Sequence, residues 1–88
     1  MSEFTLPPRY QKRATLKETP ETCVYRVFDV LDGRDEAIKI LRHEIGDAQQ
    51  LVRFKTEFST LASLEHSSVI KVYDFGVLND RYPYFTME

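Results

Sequence analysis

Cysteine is nearly absent from this chain. Cys23 is the single thiol, so no internal disulfide can form, and that usage fits a reducing compartment. An excess of basic charge is lacking as well. The 12 Lys and Arg stand against 14 Asp and Glu, a formal net charge of -2, which gives no electrostatic case for nucleic acid or an anionic membrane. No apolar run approaches the roughly 18 residues of a membrane span, and Met1-Ser2-Glu3-Phe4 has no basic stretch followed by an apolar core. These absences predict a cytoplasmic protein with no nucleic-acid and no membrane partner. Glycine is scarce, with three residues in the chain, and the polar connection Lys17-Glu18-Thr19-Pro20-Glu21-Thr22 contains none.

What is present suits one small domain. With 88 residues, 42% hydrophobic and 30% charged, such a chain hides only about 60 to 65% of its unfolded surface. Its margin of stability is expected to be thin. Residues 1-8, with Pro7-Pro8, read as an extended lead-in, and residues 9-88 as a single domain. Tyr10 to Leu16 is a plausible first strand. Cys23 to Val30 is a stronger one, carrying Val24, Tyr25, Val27, Phe28 and Val30. Asp32-Gly33 is a hairpin signal, so the strand around Glu36-Ala37-Ile38-Lys39-Ile40-Leu41 returns antiparallel. The period then changes. Leu51, Phe54, Phe58 and Leu61 fall at helical spacing, with Ala62 and Leu64 widening the stripe, and Asp47 with Gln50 resembles a capping box after Gly46. This helix is expected to end near Glu65-His66-Ser67-Ser68. Val69 to Tyr73 reads as a fourth strand, Asn79-Asp80-Arg81 as a turn and Tyr82 to Met87 as a fifth strand. The fold class is α+β, a largely antiparallel five-stranded sheet with one main helix between strands 3 and 4.

Lys39 is the odd residue of the third strand. Alternation puts it on one face with Ala37 and Leu41, opposite Ile38 and Ile40. A half-buried lysine among apolar neighbours needs an acid or a bound anion, and Glu57 on the helical stripe is the best local partner.

The whole pattern from about residue 9 to 88 resembles the N-terminal lobe of a eukaryotic-like, bacterial-type serine/threonine protein kinase. Ala37-Ile38-Lys39 matches that family's V-A-I-K strand, and Glu57 stands where its helix glutamate pairs with the lysine. His66-Ser67-Ser68-Val69-Ile70 resembles the H-P-N-I turn with serine in place of proline. Tyr84-Phe85-Thr86-Met87-Glu88 resembles the fifth strand leading to the hinge, with Met87 at the gatekeeper position. By the same resemblance Val24, Ala37, Lys39 and Met87 would line a vestigial nucleotide pocket.

The departures from the family shape the functional expectation. A kinase carries G-x-G-x-x-G between its first two strands, so that backbone N–H groups can approach the phosphates unhindered. Aligning Leu16 and Val24 puts Lys17, Thr19 and Thr22 at those glycine positions, with Glu18 and Glu21 adding negative charge and Pro20 removing a donor. ATP is therefore a doubtful ligand, and no cofactor and no metal are expected. The catalytic loop and the magnesium-binding D-F-G of the second lobe have no counterpart here. Asp74-Phe75-Gly76 spells that motif but reads as a strand end turning at glycine. The Lys39 and Glu57 pair is expected to be structural rather than catalytic. His66 reads as a helix-terminating residue and Cys23 as a strand residue rather than a nucleophile. On its own the chain is not expected to be an enzyme. With no second lobe, Tyr73, Phe75, Tyr82, Tyr84 and Phe85, together with Val77 and Met87, are expected to form an apolar patch for a protein partner or a homodimer. Two alternatives stand beside this module reading: the N-lobe of a truncated or split kinase that binds ATP, and a small-ligand module using the residual adenine-type pocket.

Overall fold

The computed structural model describes residues 4–42, 48–63 and 71–88. Six elements follow one another: β1 (Tyr10–Glu18), β2 (Thr22–Asp29), β3 (Arg34–Leu41), α1 (Ala48–Ser63), β4 (Val72–Leu78) and β5 (Tyr82–Met87). The strands make one antiparallel sheet in the order β1-β2-β3-β5-β4. This is the α+β architecture of a kinase N-lobe, with the helix between the third and fourth strands.

Register decides which side chains share a face, because residues directly opposite in an antiparallel ladder point the same way. Tyr25 lies opposite Ile38, and Cys23 opposite Ile40. These four are wholly buried, and with Val27, Tyr10 and Leu78 they form the core on one face. The lead-in closes that core: Phe4 and Leu6 pack on it, and the Phe4 ring meets Tyr82 edge-on at 5.0 Å. Lys39 lies opposite both Val24 and Phe85, and this second face carries the helix. Phe54 is the buried residue of α1. It joins Leu41 and Phe85, and Phe58, Leu61, Val72, Phe75 and Met87 pack around them. The helical stripe is therefore the expected one except at Ala62, which is exposed.

The turns follow their side chains. The strand β2 stops at Asp29, one residue short of expectation, because its side chain begins the turn: Asp29 Oδ1 accepts from the amides of Leu31 and Asp32 at 3.0 and 3.2 Å. Gly33 completes it at φ 66, a conformation that glycine adopts without a Cβ penalty. In the turn between β4 and β5 both Asn79 and Asp80 have positive φ, which these two residue types tolerate. The fourth strand differs from the sequence reading. It runs on to Leu78, so Asp74-Phe75-Gly76 lies inside the strand and the glycine marks no turn. A Cβ at Gly76 would sit 2.7 Å from Tyr84 Oη and 2.8 Å from its Cζ. The glycine leaves room for that ring. Gly76→Ala is expected to cost about 1–3 kcal/mol as an overpacked contact. Adding Tyr84→Leu should return part of that loss, and strictly additive denaturation energies for the pair would rule the contact out.

The Asp47 cap, Gly46, Leu64, the helix end at Glu65 to Ser68 including His66, and the start of the fourth strand at Val69 and Ile70 lie outside the described residues. Among the described residues no helix is long and apolar enough to cross a membrane, which says nothing of β-barrel proteins.

Candidate functional site

The site grows from β3. Lys39 is held on the helix side of the sheet by the register of three strands, and its side chain retains 23% of its exposure. Its alkyl stem can lie against apolar surface while the ammonium reaches a polar partner. That partner is Glu57, one turn along α1 from buried Phe54; Nζ and Oε2 are 2.7 Å apart. Glu57 stays 42% exposed, so the pair is not sealed in a dry interior. Val24 faces Lys39 across the ladder and Ala37 faces Met87. The four residues of the expected nucleotide pocket thus share one face of the sheet, and all four are half-buried.

The hairpin joining β1 to β2 approaches the same region. Two register shifts, between Lys12 and Ala14 and between Thr15 and Lys17, interrupt its pairing. Its tip is closed by Thr19. The Thr19 hydroxyl accepts from the amides of Glu21 and Thr22 at 3.2 and 2.9 Å, and its own N–H donates to Thr22 O at 2.8 Å. Pro20 has no N–H to offer. The amides of Thr19, Glu21 and Thr22 are thus engaged within this turn. Arg42, just beyond β3, ties the tip down: its amide donates to Glu21 O at 2.8 Å, and Nη2 lies 3.8 Å from Glu18 Oε1. Between tip and helix lies a recess of about 140 Å³ floored by Leu41 and Phe54 and rimmed by Glu21, Thr22, Arg53 and Glu57. Sequence spacing alone could not have found it, because it is made by a hairpin tip folding over a helix.

The five aromatic residues expected to form one open patch are divided. Phe85 has 0% exposure, so it belongs to the core. Phe75 packs against Phe58 at 5.4 Å between ring centroids, on the helix side. Tyr82 and Tyr84 lie on the other face, against Phe4 and Tyr10. Tyr73 is covered by the Arg34 guanidinium, 3.6 Å from its ring centre. The helix and the lead-in cover what a reading of β-strand alternation alone would leave open. Cys23 is buried, and desolvation raises its thiol pKa, the reverse of an activated nucleophile.

The sequence reading missed a charged cluster at the other end of the sheet. Arg9 forks onto Asp29, with Nε 2.9 Å from Oδ1 and Nη2 2.8 Å from Oδ2, and also reaches Asp32 and Asp74 at 3.1 Å each. Arg34 pairs with Glu36 at 2.6 Å. A buried acid at either end of the β2–β3 turn, at Asp29 and Glu36, was the available signal. The carboxyl oxygens of Asp29, Asp32 and Glu36 lie within 4.8 Å of one another, and the cations already seated among them are the two guanidiniums.

Comparison with known proteins agrees with the fold. The chain is 36% identical over 81 residues to the serine/threonine-protein kinase PrkC of Bacillus subtilis, a match covering 91% of this chain and 12% of that kinase. It is 37% identical over 83 residues to the DNA damage-responsive serine/threonine-protein kinase RqkA of Deinococcus radiodurans, covering 93% and 12%. It is 34% identical over 84 residues to the serine/threonine-protein kinase PknL of Mycobacterium tuberculosis, covering 94% and 21%. No family model matches the chain. The chain therefore spans between about an eighth and a fifth of these relatives' length, and along nearly all of its own length it resembles the N-terminal lobe of a bacterial-type serine/threonine protein kinase.

Proposed function

We propose that the chain is a kinase N-lobe-like module that acts through protein contact, with itself or with another protein of the cytoplasm, and does not transfer phosphate by itself. The observation that carries this reading is the closed hairpin tip. Thr19 consumes the amides of Glu21 and Thr22, and Glu18 and Glu21 place carboxylates beside the site, so a triphosphate would meet spent donors and like charge. Exposed Leu16 on β1, at 56%, and half-buried Val24 and Ala37 on β2 and β3 are the apolar side chains this reading assigns to a partner surface. Light scattering of the pure chain across a concentration range tests the proposal. Growth in mass with concentration, or a stoichiometric complex with a co-purified protein, is the expected result. A monodisperse monomer that recovers no partner would defeat it.

The Lys39–Glu57 pair at 2.7 Å favours a second reading, in which the chain is the nucleotide-binding lobe of a kinase whose other residues lie elsewhere, since phosphoryl transfer needs that ion pair in place. Lys39→Met separates the two. The pair is partly exposed, so the change is expected to cost no more than about 1 kcal/mol of stability. Under the module reading ATP gives no thermal shift in either protein, and under the kinase reading ATP stabilises the wild type alone. An adenosine-induced shift without an ATP-induced one would instead point to a small-ligand module.

A further inference from the structure

Two guanidiniums and four carboxyls meet on the sheet face away from α1. Asp29 ends β2, Asp32 lies in the turn, Glu36 follows on β3 and Asp74 comes from β4, while Arg9 precedes β1 and Arg34 opens β3. The side chains of Asp29 and Glu36 both have 0% exposure. Asp29 is well used but not saturated: Oδ1 accepts from Arg9 Nε and two turn amides, and Oδ2 from Arg9 Nη2 alone. Glu36 is half used. Its Oε2 accepts from Arg34 Nε at 2.6 Å, and its Oε1 is buried without a donor. A carboxyl oxygen of Glu36 nevertheless lies within 4.8 Å of one of Asp29. Ionised carboxylates only accept, so two of them this close, shielded from water, cannot satisfy one another. Asp29, Asp32 and Asp74 already outnumber Arg9 and Arg34 by three to two, which makes a fourth negative charge surplus.

We propose that Glu36 carries a proton in the folded protein at neutral pH and donates it from Oε1 to the Asp29 carboxylate, and that loss of this proton as pH rises loosens the attachment of the lead-in to the sheet. With the proton in place both buried acids are satisfied, and Arg9 keeps its fork on Asp29. Without it, two buried anions oppose each other beneath the guanidinium that ties residues 4 to 9 to β2. None of the remaining neighbours places a donor on Glu36 Oε1. Arg34 is engaged by Glu36 Oε2, Asp32 and the ring of Tyr73. Asp74 reaches Arg9. From β5 comes Thr86, whose hydroxyl accepts from the Asp74 amide at 3.1 Å. Tyr10 on β1 is held neutral by burial, which raises its pKa. The proton belongs to Glu36 rather than Asp29, because desolvation pushes Glu36 up whereas the Arg9 hydrogen bonds hold Asp29 well below the usual carboxylate range. The sign follows. The contribution of a group with a raised folded-state pKa is complete below the ordinary glutamate value and is lost as pH climbs through the raised one.

Glu36→Gln tests this, since the amide supplies a permanent N–H toward Asp29 while its carbonyl still accepts from Arg34. The variant is expected to melt at or above the wild type at pH 7 and several degrees above it at pH 9. In the wild type, carbon NMR should show the Glu36 Cδ titrating above the other glutamates, with the amides of residues 4 to 6 shifting at the same midpoint. A Glu36 that titrates with the ordinary glutamates, or a glutamine variant less stable by one constant margin at every pH, would overturn the proton assignment. Amides of residues 4 to 6 that stay still while Glu36 titrates would overturn its link to the lead-in.

Discussion

Phe85→Ala should remove about 3–5 kcal/mol of folding free energy, the range for deleting a fully buried aromatic side chain and leaving a cavity. Phe85 is wholly buried, 5.0 Å from the Phe54 ring and 5.6 Å from Phe58, and it pairs with Lys39 across the ladder and with Phe75 on the edge strand. Met87, paired with Ala37 and Val72, packs on the same cluster but is only partly buried. A chain of this length has roughly 4–13 kcal/mol of stability in all, so the loss is a large fraction of it. Urea denaturation gives the number, and helical circular dichroism tells what fails first. We expect the helical signal to weaken before the sheet melts, because α1 has one buried residue, Phe54, and loses its closest ring. Phe85→Leu refills most of the volume and should cost about 1–2 kcal/mol. An alanine variant within 1 kcal/mol of wild type would mean that α1 is not docked on this ring.

That same residue shows what could be read from the chain and what could not. The succession of three strands, a helix and two strands was legible because each element rests on local chemistry: β-branched runs, Asp32-Gly33, and Leu51, Phe54, Phe58 and Leu61 at helical spacing. Lys39 and Glu57 could be paired from the pattern, since a lone lysine in an apolar strand calls for an acid and the helix supplies one. Which aromatic residues lie in the core was not legible. Alternation along β5 separates Tyr82 and Tyr84 from Phe85, but it does not tell that α1 covers one face and the lead-in the other. Gly76 was misread for a related reason. Glycine usually signals a turn, and here it accommodates a tyrosine from the neighbouring strand, a contact between residues eight apart with nothing local to announce it. The charged cluster was missed because Arg9 and Asp74 are 65 positions apart. Each looks like an ordinary surface charge until the sheet brings them together.

Removing the acid at the centre of that cluster gives the second large effect. Asp29→Ala takes away both acceptors of the Arg9 fork and the acceptor that holds the Leu31 and Asp32 amides, and it leaves Glu36 without the partner proposed for its proton. Breaking a buried pair from one side costs about 3–5 kcal/mol when the remaining charge is stranded. Here Arg9 keeps 28% of its side-chain exposure and retains Asp32 and Asp74, so we expect a smaller loss, about 2–4 kcal/mol. The loss should also depend on pH in a set direction. The Arg9 hydrogen bonds hold the folded-state pKa of Asp29 below its ordinary 3.8, so its contribution is complete above that value and disappears as pH falls toward the lowered one. Wild type and Asp29→Ala should therefore differ most at neutral pH and converge in strong acid. Glu36 acts in the opposite direction at the alkaline end, so the wild type should be most stable between the two, where Asp29 is ionised and Glu36 is not. Urea midpoints for both proteins from pH 2 to pH 9 test the whole scheme. A stability gap that stays constant across that range would show that Asp29 contributes through turn geometry alone and that its charge, paired with Arg9, adds nothing.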